Sequence, residues 1–150
     1  MSIPRTIVAP GQMADLDLEC VAGAVPPGLA GEVFISTAEP ETAGAPAFFG
    51  DGMMIRLSLQ PGSHGAAGDR WAWRVRKLDT PSARLRAKRP HAFAPGVLGT
   101  MGAFGFSNAA NTAPLPWGDR LFATWDAGRP VEIDPVTMGF LGEVGHRDDW

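Results

Sequence analysis

The sequence predicts an all-β fold, and three observations carry that prediction. Short apolar runs recur about every 8–12 residues between turn signals, the rhythm of a sandwich, barrel or propeller. Glycine and proline are both abundant, 19 and 14 residues, in a chain that is still 45% hydrophobic, so the turns punctuate a core-forming chain rather than a disordered one. No stretch carries a convincing helical period.

The elements follow in chain order. Residues 1–15 read as a lead-in, and 16–150 as one β-rich domain. Leu16, Leu18 and Cys20 alternate with Asp17, Glu19 and Val21, a weak strand. Pro26, Pro27 and Gly28 then break regular structure. Glu32–Thr37 is a β-rich strand. Gly50-Asp51-Gly52 lies between apolar flanks and predicts a hairpin turn, because glycine reaches positive φ without steric cost. Met53, Ile55, Leu57 and Leu59 alternate with Met54, Arg56, Ser58 and Gln60 in the strand that follows.

Trp71–Leu78 is its expected partner, with Trp71, Trp73 and Val75 on one face and Arg74 and Arg76 on the other. Tryptophans at alternate positions are core residues more often than a ligand cage. Residues 79–97 carry Arg84, Arg86, Lys88 and Arg89 between prolines and read as a solvated loop. Residues 98–107 are glycine-interleaved, a strand beside closely approaching backbone. Strands are expected again at Leu121–Asp126, Pro130–Ile133 and Gly139–Val144, with Asp134-Pro135 opening a turn.

Bulk properties exclude several classes. A net charge of −3 gives no reason to expect a nucleic-acid partner. The single cysteine, Cys20, forms no internal disulfide, which fits a reducing, cytoplasmic setting, and a buried thiol is its ordinary role. The first residues lack the apolar core of a signal peptide, and no run approaches the ~18 apolar residues of a membrane span.

Direct signs of chemistry are sparse. His64, His91 and His146 are scattered, none in an i, i+4 pair and none near cysteines at metal spacing. No Gly-x-Ser-x-Gly elbow exists, and adjacent carboxylates occur only at Asp148-Asp149. Asp51 in its glycine turn reads as a structural residue.

The order of four segments adds more. Val25-Pro26-Pro27-Gly28-Leu29-Ala30-Gly31 is similar to Ile-Pro-x-x-Leu-x-Gly, and Phe48-Phe49-Gly50-Asp51-Gly52-Met53 to Phe-Asp-Gly-Asp-Gly-Met. Asn108-Ala109-Ala110-Asn111-Thr112 is similar to a Thr-Ala-Asn-Thr segment. Leu121–Pro130, then Ile133-Asp134-Pro135-Val136-Thr137, is similar to Leu-Leu-Ala-Leu-x-Glu-x-Gly-x-Pro followed by Leu-Asp-Pro-x-Thr. In this order the segments resemble the N-terminal portion of the carotenoid cleavage oxygenases, the family that includes the retinal pigment epithelium isomerase.

The resemblance implies the N-terminal blades of a seven-bladed β-propeller, incomplete in this chain. It implies an iron(II) dioxygenase that cleaves a C=C bond of a carotenoid or apocarotenoid with O2. Family members hold the iron with four histidines from different blades, three of them braced by glutamates. Neutral imidazoles suit iron(II), and outer carboxylates fix their orientation. None of His64, His91 or His146 matches an iron ligand, so the 150 residues alone are expected to bind no iron and to be inactive. Thr112 takes the place of a threonine whose methyl group crowds one coordination position. Asp126 takes the place of the first bracing glutamate, one methylene shorter. Ile35–Pro40 departs from the family's Arg-Asn-Gly-Pro, which marks a divergent branch.

Stilbene-cleaving relatives carry a lysine before that acid and a tyrosine upstream. Here the position is Trp125 and the chain lacks tyrosine, which favours an apolar polyene substrate. The complete protein could also touch a membrane peripherally. The competing readings are a non-catalytic β module, a truncated inactive product, or a stilbenoid-cleaving relative. A self-contained domain is expected to cover its sheet edges, whereas this chain stops at His146–Trp150 just after a strand, as an unclosed propeller would.

Overall fold

The computed structural model describes residues 14–18, 22–23, 26, 28–39, 50–60, 70–89, 101–102, 105–106, 108–126 and 128–145. The expected histidine positions, Cys20 and the Phe48-Phe49 flank lie outside them. In chain order the elements are β1 (Ala14–Leu18), β2 (Gly31–Ala38), β3 (Gly52–Gln60), β4 (Arg70–Lys77), α1 (Pro81–Lys88), β5 (Met101–Gly102), β6 (Gly105–Phe106), β7 (Pro114–Trp117), β8 (Arg120–Ala123), β9 (Val131–Ile133) and β10 (Phe140–Glu143). They form two four-stranded antiparallel sheets, ordered β1-β4-β3-β2 and β10-β9-β8-β7, and a two-stranded ribbon β5-β6. The all-β expectation holds, and the two sheets are of the blade kind.

The first sheet is a meander with β1 added beside β4. Register places Val33, Ile35, Ile55, Leu57, Trp73, Val75, Leu16 and Leu18 on one face. Val33, Ile35, Leu16 and Leu18 are exposed there, and both tryptophans are only half-buried. The tryptophans therefore lie on a partly exposed apolar face, outside the buried core cluster. The opposite face carries Glu32, Phe34, Met54, Arg56 and Ser58 and turns toward the second sheet at Met54 and Phe34. The alternation in β3 was legible, but the fully buried methionine is Met54, on the face that also bears arginine and serine.

The buried core lies between the sheets. Met54, Leu78, Ala110, Leu121, Ala123, Val131, Ile133 and Met138 form it, with Phe34 and Phe140 packed against it. Leu121, Ala123, Val131 and Ile133 share the inner face of the second sheet, the period-two pattern of a strand with one dry side. β7 bounds that sheet, where Pro114 and Pro116 are tolerated because an edge strand has backbone groups outside the ladder.

Residues 81–88 correct the loop expected there: they form helix α1. Thr80 is its N-cap, its Oγ1 accepting from Ala83 N at 3.1 Å, and Pro81 occupies the first turn, where a missing N–H is harmless. Arg86 and Lys88 lie in the last turn, where cations suit the helix dipole. Arg84 stacks over Phe140, 5.7 Å from the ring centre, and so links α1 to the second sheet.

Candidate functional site

Thr112 and Asp126 are brought to one end of the second sheet by the β7–β8 hairpin. The ladder continues past the strand ends: Thr112 N donates to Thr124 O (3.0 Å) and Thr124 N to Ala113 O (2.9 Å). The Thr124 hydroxyl doubles the clasp, accepting from Ala113 N at 3.2 Å and donating to Ala113 O at 3.1 Å. Two residues beyond, Asp126 lies in a turn closed by Gly128 N donating to Trp125 O. A β-carbon at Gly128 would stand 2.5 Å from Trp125 Cε3, so the indole needs glycine there. Thr112 and Asp126 are both exposed.

The segment leading into Thr112 is anchored on both sides. Asn108 Oδ1 accepts from Ala110 N at 3.0 Å, and its Nδ2 donates to Arg129 O. Asn111 Nδ2 donates to Gly50 O at 2.9 Å, and Gly52 N to Ala109 O at 2.7 Å. Ala109 and Ala110 are fully buried. Asn108, Trp125, Gly128 and Arg129 line a cleft of about 340 Å³ with Pro81, Ser82, Leu85 and Glu143. Neither Thr112 nor Asp126 lines it.

Gly50-Asp51-Gly52 is not the positive-φ hairpin turn expected: Gly52 opens β3, neither glycine has a positive φ, and Asp51 is buried in a charge cluster. Its side chain is 3% exposed, with Lys77 Nζ at 3.0 Å and Arg86 Nε at 3.4 Å. Lys77 also pairs with Glu39. Burial works against the Lys77 ammonium, but hydrogen bonds to Glu39 and Asp51 outweigh it and raise its pKa. Burial lowers that of Arg86. This charge cluster was invisible in the sequence, because its members are separated along the chain and meet only through β2–β3–β4 pairing and the packing of α1 beside it.

One hydroxyl and one carboxylate do not hold a metal. Among the described residues no group of three His, Cys, Asp or Glu is placed to do so. A carboxylate such as Asp126 can instead accept an imidazole N–H and set the ring's orientation. No helix among the described residues is long and apolar enough to cross a membrane.

Comparison with known proteins gives the context. The apocarotenoid-15,15'-oxygenase of Synechocystis is 28% identical over 141 residues, covering 85% of this chain and 28% of that protein. A chloroplastic carotenoid cleavage dioxygenase 7 of rice (Oryza sativa subsp. japonica) is 49% identical over 35 residues, 23% of this chain and 6% of its own length. Solved structures of the Synechocystis apocarotenoid oxygenase superpose with TM-scores of 0.70–0.72, covering 91% of this chain and 30% of theirs. They include variants at a threonine, a tryptophan and a glutamate, the threonine fourteen positions before the glutamate and the tryptophan immediately before it. In one of them aspartate replaces the glutamate. The chain thus spans about a third or less of the relatives it matches. The family model described as retinal pigment epithelial membrane protein matches residues 9–149, and the chain belongs to that family of carotenoid cleavage oxygenases.

Proposed function

We propose that this chain is the N-terminal part of a non-haem iron(II) dioxygenase that cleaves a C=C bond of a carotenoid or apocarotenoid with O2. Thr112 borders the iron and Asp126 braces one of its histidines. One observation carries the reading. The hairpin delivers Thr112 and Asp126, fourteen positions apart, to the same exposed sheet end. The threonine and glutamate varied in the solved Synechocystis oxygenase have the same separation, and Trp125 matches the tryptophan between them.

Iron(II), when bound, would supply the redox chemistry that splits the alkene into two carbonyls. Its imidazole ligands come from outside the described residues. The Asp126 carboxylate accepts a ring N–H and holds that ring's tautomer and direction. The Thr112 methyl would narrow the approach to a metal held there. Trp125 puts an indole rather than an ammonium at that position, which favours an apolar polyene substrate, reached in the cytoplasm or from a membrane surface.

The test is an assay of the full-length protein on an apocarotenoid aldehyde under ¹⁸O₂. Two carbonyl products from one double bond, with label from O2, are expected. Cleavage of a hydroxystilbene in preference would overturn the substrate class, and failure of the iron-loaded protein to cleave any polyene would overturn the reading.

A further inference from the structure

We propose that Gly50-Asp51-Gly52 is a positioning element for Thr112, a role that rests on Thr112 bordering the reaction centre. The stretch joins the first sheet to the segment leading into the second through its own backbone groups. Gly52 O accepts from Leu78 N (2.8 Å) at the end of β4, while Gly52 N donates to Ala109 O (2.7 Å). Gly50 O accepts from Asn111 Nδ2 at 2.9 Å. The chain reaches Thr112 one residue after Asn111.

The approach is too close for any side chain. A β-carbon on Gly52 would stand 2.3 Å from Ala110 O and 2.6 Å from Ala109 O, and one on Gly50 would stand 1.6 Å from Glu39 O. Both glycines are therefore required by packing, although neither has a positive φ. The strain sits on the segment they hold: Ala110 is at φ +50°, a left-handed conformation that alanine adopts only when its surroundings impose it. Asp51 locks the element from below, its carboxylate between Lys77 and Arg86. With the 109–111 backbone fixed, Thr112 meets Thr124 O in a set register, and its side chain is presented in one direction.

The experiment uses the full-length protein with Gly52→Ala, Asn111→Ser and Thr112→Ala, singly and combined. The first readout is the methyl resonance of Thr112 in iron-free protein, identified by its loss in Thr112→Ala. Gly52→Ala and Asn111→Ser are each expected to shift or broaden it. The second readout is kcat on an apocarotenoid aldehyde, expected to fall about tenfold with Gly52→Ala. In the Thr112→Ala background the same change should cost less than about twofold, because the two residues act through one contact. An unmoved methyl resonance in Asn111→Ser, which keeps the glycines and folds if Gly52→Ala does not, overturns the proposal. So do losses that simply multiply. If Thr112→Ala alone leaves kcat unchanged, the placement of Thr112 beside the iron fails, and the methyl resonance still decides whether the stretch positions it.

Discussion

Arg56 grips Glu32 with two parallel hydrogen bonds, Nε to Oε2 at 2.7 Å and Nη2 to Oε1 at 2.8 Å, across the β2–β3 pair. The third arm of the guanidinium, Nη1, donates to Val136 O in the β9–β10 turn at 2.9 Å. One side chain thus ties the first sheet to the second. The arginine is 12% exposed, so the pair is sheltered from solvent screening more than an ordinary surface bridge. Arg56→Lys keeps the charge but loses the planar fork. It should lower stability by about 1–2 kcal/mol, and Arg56→Met by about 2–3, read by denaturant titration. Equal midpoints for the wild type and Arg56→Met would refute the coupling.

The same pair sets an acid limit. The Arg56 hydrogen bond holds the Glu32 carboxyl below its ordinary value of 4.5, burial opposes this, and the Ser58 hydroxyl adds to it. Asp134 is likewise held low by the backbone N–H groups of Thr137 and Val136. A folded-state pKa below the unfolded one means the contribution is complete above about pH 4.5 and is lost as pH falls through the depressed value. Wild type should therefore lose stability more steeply than Glu32→Gln on going from about pH 5 to pH 3. Parallel pH profiles for the two proteins would show that Glu32 is not the group responsible.

Helix α1 offers a sharper local test. Thr80 is almost fully buried and its hydroxyl is the side-chain cap of Ala83 N. Thr80→Ala should cost about 1 kcal/mol, and Thr80→Ser should restore most of it, measured as a shift in thermal midpoint. Because Arg84 and Arg86 hang from this helix onto Phe140 and Asp51, the loss should also weaken the join between the sheets. No difference between Thr80→Ala and Thr80→Ser would remove the cap from the account.

These contacts show what the sequence reveals and what it hides. Glu32–Thr37 was legible from its β-branched and aromatic residues, and the strand expected at Leu121–Asp126 from its apolar run, although it ends at Ala123. Helix α1 was not, because eight residues rich in Arg and Lys carry almost no apolar period. The usable signal was Thr80-Pro81, a cap followed by proline. Thr112 and Asp126 were found through family resemblance, since a threonine and an aspartate in loops have no pattern of their own. The Asp51–Lys77–Arg86 cluster and the half-buried face of Trp71 and Trp73 depend on which element lies next to which, and alternation alone does not say which face meets a neighbour.

Asp126 provides the decisive variant series. A glutamate reaches one methylene further than an aspartate, and the Synechocystis oxygenase has a solved variant in which aspartate replaces a glutamate. Asp126 is exposed at the sheet end, so its removal should leave the core between the sheets intact. If it braces an iron-bound imidazole, Asp126→Ala in the full-length protein should lower iron affinity or kcat/KM by about 10–100-fold with little change in thermal midpoint. Asp126→Asn should be nearly as damaging, because a neutral amide does not raise ligand basicity. Asp126→Glu should retain or exceed wild-type activity, since it restores the longer reach. Metal content by atomic absorption and kcat/KM on an apocarotenoid aldehyde together decide the matter. Wild-type iron and turnover in Asp126→Ala would reduce Asp126 to a turn residue ahead of Gly128 and leave the bracing carboxylate to be sought elsewhere.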